Sequence, residues 1–265
     1  MFSLLSILCT LLYLLATGYI TSRLFHSEGP NSRMSRAIAC VAIALHAGIL
    51  YNDIISDATG QNLSITNVAS IVAWLIALSM TLLSFKQNHV FLTPVVYGFT
   101  SFAVLLNTLL PATYVMHIEL QPTLLIHITL ALFAYGSLMI AVLYALQVSY
   151  INHKLKSKQL ALLHSSLPPL MDVETTLFKI LLYGTVLLSL SLFSGFIFLD
   201  DMFAQKQVHK TILSIVAWIL YTGTLVAHYQ FAWRGRGVVI TTVIGATLLT
   251  IGYFGSRIVK EVILT

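Results

Sequence analysis

TLLIHITLALFAYGSLMIAVLYALQ, residues 123–147, holds no Asp, Glu, Lys or Arg in 25 positions. At 1.5 Å per residue a helix of that length rises about 37 Å, enough to cross a hydrocarbon core of ~30 Å. A soluble surface helix carries a charged face opposite its apolar stripe. This stretch has none, so lipid is its solvent on every side.

Working outward from it, comparable runs fill 2–22, 37–54, 65–85, 90–110, 175–198, 211–232 and 237–257. Over 265 residues, 58% are hydrophobic and 9% charged, against roughly 25% charged in an ordinary soluble domain. The expectation is an all-α, polytopic membrane helix bundle of about eight transmembrane helices, forming one membrane domain over 1–265. The first run has no Lys or Arg before it and exceeds the apolar core of a signal peptide, about 7–15 residues. It reads as a retained helix.

Basic residues mark the cytoplasmic side of short loops. Arg23, Arg33, Arg36, Lys86, Lys154, Lys156, Lys158, Lys179, Arg234 and Arg236 fall on one side, and Lys206, Lys210, Arg257 and Lys260 on the other. This split puts both termini in the periplasm of a bacterial cell. Asp53, Asp57, Glu119, Asp200 and Asp201 then lie outside as well. The formal net charge of +5 is spread through loops rather than gathered on one face, so it reports topology and not nucleic-acid binding. Cys9 and Cys40 lie in separate apolar runs and form no CxxC or CxxCH pattern, which indicates neither a disulfide framework nor a thiol redox motif.

Residues 148–174 are the longest loop. Its lysines precede Leu160, Leu162, Leu163 and Leu167, which suit an amphipathic stretch on the membrane surface. Pro168 and Pro169 end any helix there. Asp172 and Glu174 follow, where negative charge suits the first turn of the next helix.

Ionisable groups at membrane depth are costly and usually paired or functional. No Asp, Glu or Arg stands near the middle of any run, which weighs against an ion-coupled transporter. Lys179 is near enough to a boundary to snorkel. Histidines remain: His46 in the second run, His127 near the outer end of the fifth, His228 near the inner end of the seventh, and His209 just before the seventh at the outer surface. Neutral imidazoles from facing helices hold heme iron well. Nineteen residues separate His209 from His228, about 28 Å of helical rise, so those two cannot share one iron. His127 and His209 stand at compatible depths; His46 with His228 would require tilted helices.

The remaining groups have plainer readings. His26, His89, His117, His153 and His164 lie in loops or at their edges and read as structural. Trp74 and Trp218 read as packing, Trp233 as interfacial, and Tyr51, Tyr97, Tyr114 and Tyr135 as aromatic packing. Gly245, Gly252 and Gly255 allow close helix approach. No HExxH, phosphate loop or Ser-His-Asp arrangement appears, so nothing marks an enzyme.

HKTILSIVAWILYTGTLVAHYQFAWRGRGVVITTVIGATLLTIGYFG, residues 209–255, resembles the C-terminal end of the cytochrome c assembly family, which includes the CcsA and HemX-like proteins. HITLALFAYGSLMIAVLYALQ, 127–147, and LPPLMDVETTLFKILLYGTVLLSLSLFSG, 167–195, are similar to two further segments of that family in the same order. The resemblance is good over about the last 140 residues and extends to the first 120 in layout only. It implies a bacterial inner membrane protein that handles heme, held as a non-covalent b-type group. In that likeness His127 matches the family's outer histidine and His228 the histidine before its basic WRGR-like turn; His46 takes a plausible place for the other membrane histidine, and His209 has no certain counterpart. The family's tryptophan-rich WWD segment is missing, replaced by DDMFAQKQVHK, and no histidine follows the last run. An accessory or heme-handling factor is expected rather than a complete heme lyase, with His127 and His209 as the ligand pair and His46 and His228 as the alternative. The expected partners are the lipid bilayer, heme and another membrane protein. The competing reading is a heme-free helper or regulatory partner of an ion or metabolite transporter.

Overall fold

Backbone N–H and C=O groups in lipid find no water, so a spanning segment satisfies them internally as a helix. The computed structural model describes residues 2–24, 31–55, 60–86, 91–110, 115–116, 122–157, 168–198 and 208–255. Eight α-helices occupy them: α1 Phe2–Arg23, α2 Ser32–Ile55, α3 Ile65–Lys86, α4 Thr93–Leu109, α5 Pro122–Lys156, α6 Leu170–Phe198, α7 Val208–Phe231 and α8 Arg236–Thr250. A π-helical turn, Ile251–Gly255, continues α8. Seven of these are long and apolar enough to cross a membrane, and α4 is a shorter apolar helix of 17 residues.

Local chemistry sets the helix starts. Asn31 accepts the backbone N–H groups of Arg33 and Met34 at 3.0 and 3.3 Å, a side-chain cap of the kind that relieves orphan donors. Ser64 caps α3 by accepting the Asn67 N–H at 3.3 Å. Proline opens α4 near its first position, where its missing N–H costs nothing.

Several boundaries differ from those expected, α2 for instance beginning at Ser32 rather than 37, and two bear on the long loop. Residues 148–156, expected in a loop, extend α5 to 35 residues, because their lysines face water beyond the apolar segment without interrupting backbone hydrogen bonding. Likewise α6 begins at Leu170, directly after the two prolines, with Asp172 in its first turn. The expected amphipathic leucines 160–167 lie outside the described residues, as do His26, His89, His117, His164 and Tyr114.

The helices gather into two compact units, α1–α4 and α5–α8. Within each, consecutive helices pack and the first closes against the fourth. The first unit adds a two-residue antiparallel pairing, Gln61 with Met116 and Asn62 with Val115.

In the first unit His46 is fully buried, with Tyr13, Tyr97 and Met80 among the other enclosed side chains. Trp74 donates its indole N–H to the Ile43 carbonyl at 2.9 Å, and Tyr97 and Thr81 share a hydroxyl bond of 2.8 Å. Cys9 is buried with its Sγ 3.5 Å from the Ala42 carbonyl, whereas Cys40 is exposed.

In the second unit small residues set the closest approaches. A Cβ at Gly245 would stand 2.6 Å from the Tyr221 ring, and one at Gly184 2.9 Å from Leu138. Gly252 lets the π turn lie against Leu213 and the Lys210 carbonyl of α7. A Cβ at Gly255 would meet only Ile251 of its own turn.

Candidate functional site

The four candidate histidines differ in what holds their rings. His127, on the second turn of α5, has Nδ1 3.0 Å from the Ser191 carbonyl and 3.1 Å from Ser194 Oγ, both on α6. A carbonyl only accepts, so Nδ1 carries the proton and Nε2 keeps its lone pair. Ser194 in turn donates to Ser191 O at 2.8 Å, which fixes the two oxygens as a cradle. That tautomer, with the far nitrogen pinned by a carbonyl, is the form in which imidazole binds a metal.

His228 is built the same way near the end of α7. Its Nδ1 donates to the Trp233 carbonyl at 3.0 Å, and its ring stacks on Phe178 of α6 with centroids 3.3 Å apart and planes 12° from parallel. The turn that supplies the carbonyl is well fastened. Ala232 has φ of 54°, a left-handed conformation that ordinarily falls to glycine at a helix end, and the Trp233 N–H reaches back to the Ala227 carbonyl at 3.1 Å. Gly235, with φ of 81°, then turns the chain into α8, and the Trp233 ring covers Gly237 so closely that no Cβ fits there. Beside it Arg234 pairs with Glu174 at 3.8 Å. Glu174, expected in the first turn of α6, stands just beyond it and joins the α7–α8 turn to that helix.

His46 is held at both nitrogens. Nε2 lies 2.9 Å from Ser70 Oγ and Nδ1 3.4 Å from the Tyr13 hydroxyl, with the Tyr13 ring edge-on at 5.9 Å. Each partner is a hydroxyl, and neither nitrogen is free without breaking one bond. His209, the second residue of α7, is exposed, so its ring is reached from outside the helix packing.

Depth in the second unit can be read from contacts along facing helices. Phe178 beside His228 and Ser191 beside His127 are 13 positions apart on α6, about 20 Å of rise. His127 and His228 therefore stand toward opposite ends of α6 and cannot address one common point. Tyr135 of α5 bonds Thr250 of α8 at 2.9 Å, Gly252 lies against the first turn of α7, and Ser189 of α6 accepts the Trp218 indole N–H of α7 at 2.7 Å. Together these contacts place His127 and His209 within about 10 Å of a common depth.

A groove of about 300 Å³ separates α6 from α7 beside the Ser189–Trp218 bond, walled by Leu192, Phe193, Phe196 and Ile197 of α6 and Ile215 of α7. At 100° per residue these α6 positions lie on the face opposite Ser191 and Ser194, so the groove is not the space His127 addresses. Among the described residues no three His, Cys, Asp or Glu side chains cluster as metal ligands; a porphyrin iron needs only one or two axial imidazoles.

The sequence reading reached the four histidines but not their anchors. The only trace of the cradle is Ser191 and Ser194 one turn apart near the end of α6. Tyr13 and Ser70, which enclose His46, carry no signal of their own.

The chain as a whole falls into a known class. A family model described as Cytochrome C assembly protein matches residues 34–264, and the chain belongs to that family. It is 40% identical over 259 residues, covering 97% of this chain and 98% of the relative, to Inner membrane protein YpjD of Escherichia coli strain K12. An uncharacterized 28.8 kDa protein of Azospirillum brasilense is 28% identical over 141 residues, 52% of each chain. No solved structure matches. The chain is a multi-pass protein of the inner membrane.

Proposed function

We propose that this chain binds heme non-covalently, as an accessory heme-handling member of its family rather than a full heme lyase. The observation that supports this best is His127, a histidine on a membrane-spanning helix whose Nδ1 is committed to the Ser191 carbonyl and whose Nε2 is thereby a Lewis base. An imidazole oriented by such a bond needs no rotamer or tautomer change to ligate iron. His127 and His209, whose depths agree within about 10 Å, are the residues that would hold it near one end of the second unit. A bound heme would supply an iron able to accept imidazole nitrogen. The Ser191–Ser194 cradle holds the His127 ring and keeps its proton on Nδ1, and the exposed position of His209 leaves its approach open. His228, equally oriented but about 20 Å away along α6, belongs to a separate site at the other end. His46 enters this reading only if Ser70 or Tyr13 releases it. The missing WWD segment is what separates the proposal from lyase activity.

The test is the visible spectrum of detergent-purified protein, oxidised and reduced, with added heme. A low-spin spectrum lost in His127→Ala and altered in His209→Ala is the expected result. A wild-type protein that takes up no heme ends this reading and favours the heme-free helper of a transporter, to be sought by co-purification.

A further inference from the structure

The π turn at the end of α8 places aromatic rings where the proposed heme reading needs a surface. π-helical turns are rare and concentrate at functional sites. This one, IGYFG, presents Tyr253 and Phe254. Tyr253 stacks on Tyr135 of α5, centroids 6.4 Å apart and planes 20° from parallel; Phe254 lies 5.9 Å from the same Tyr135 ring and 5.2 Å from Tyr253. The Tyr135 hydroxyl bonds Thr250 Oγ1 at 2.9 Å, which holds its ring against the turn. All three aromatic residues are only partly buried.

The position of this trio follows from its neighbours. A Cβ added at Gly252 would stand 3.4 Å from Leu213 Cβ and 3.7 Å from the Lys210 carbonyl, so the turn faces the start of α7, near His209. Tyr135 is two turns along α5 from His127 on the side of the membrane interior. Tyr135 thus stands about 12 Å inside His127 and the turn lies closer to the depth of His209; of the two tyrosine hydroxyls, that of Tyr135 is bonded to α8. Imidazoles ligate iron but contribute little area; a planar macrocycle gains most of its contact from offset stacking on aromatic side chains.

We propose that Tyr253 and Phe254, backed by Tyr135, form the aromatic face on which a porphyrin plane rests beside His127 and His209. This rests on the heme reading above. The three are positioning residues: they hold the macrocycle, and the histidines hold the metal.

The experiment is titration of the full-length, detergent-purified apoprotein with heme and, separately, with iron-free protoporphyrin, for wild type, Tyr253→Ala, Phe254→Ala, Tyr253→Phe and His127→Ala. Each alanine change on the turn is expected to weaken heme about tenfold while leaving the axial-ligand bands of the bound fraction unchanged. Tyr253→Phe keeps the ring and binds as wild type. Iron-free porphyrin is expected to bind His127→Ala as it binds wild type, yet to bind Tyr253→Ala more weakly. Should Tyr253→Ala fail to fold, judged by its melting profile, Phe254→Ala carries the same comparison. If wild type binds heme and both alanine variants bind it equally well, the aromatic face is overturned and the heme reading stands. If wild type binds neither porphyrin, the heme reading itself falls, and this inference with it.

Discussion

The two four-helix units share a packing plan and differ in how they use polar groups. In α1–α4, His46 is bonded through both ring nitrogens, Trp74 reaches a backbone carbonyl and Tyr97 pairs with Thr81. In α5–α8, His127 and His228 are each anchored through Nδ1 alone, which leaves Nε2 pointing away from its support. Backbone irregularity follows the same division. The second unit holds the left-handed Ala232, the positive-φ Gly235 and the π turn, whereas Gly60 is the only positive-φ residue described in the first. Strained or irregular backbone persists where the surrounding structure over-determines it, commonly at sites of function. In the proposed reading the first unit is a closed scaffold and the second the unit whose histidines keep a nitrogen for a ligand. A buried histidine is thus no ligand candidate by burial alone; what matters is which of its nitrogens its neighbours consume.

The comparison breaks most visibly at His127. His127→Ala should weaken heme binding by at least about 100-fold with little change in melting temperature, because the ring is only partly buried. A comparable loss of heme in His46→Ala would instead erase the distinction between the units. The next effect belongs to His46. Its replacement by Ala empties a fully buried site and leaves Ser70 short of a partner, for a loss of about 2–4 kcal/mol, read by thermal or denaturant unfolding in detergent. Heme spectra should be unaltered.

Gly245→Leu sharpens the picture within the second unit. The added side chain meets the Tyr221 ring and should cost about 1–3 kcal/mol through overpacking, with heme affinity falling only as α7 and α8 separate. Smallest is Arg234→Gln. Arg234 is about half exposed and its Glu174 partner stands at 3.8 Å, so stability should change by less than about 1 kcal/mol. A larger loss would mean that the Arg234–Glu174 contact, more than the Trp233 packing, holds the α7–α8 turn.

Much of the fold was legible in the chain. A run such as 123–147 states its own length and solvent, and the helix count and most boundaries followed from that. Where the reading fell short, at 148–156, hydropathy ended but helix did not, since a helix needs backbone bonds rather than apolar side chains to continue. The histidines were legible as rare polar groups at depth. Their states were not, because Ser191, Ser194, Ser70 and Tyr13 are ordinary membrane-helix residues until a neighbouring helix brings them within 3.4 Å of a ring nitrogen.

By itself, then, the sequence determined that this is a polytopic helical membrane protein and the family to which it belongs, since hydropathy and spacing are properties of one strand of chain. Only the tertiary structure decided that the helices divide into two closed units, that His127 and His228 keep one nitrogen free while His46 keeps none, and that Tyr253 and Phe254 meet Tyr135. Each of those depends on which helix faces which, and lateral pairing in lipid is set by side-chain fit and interhelical hydrogen bonds, to which hydropathy along a single helix is blind.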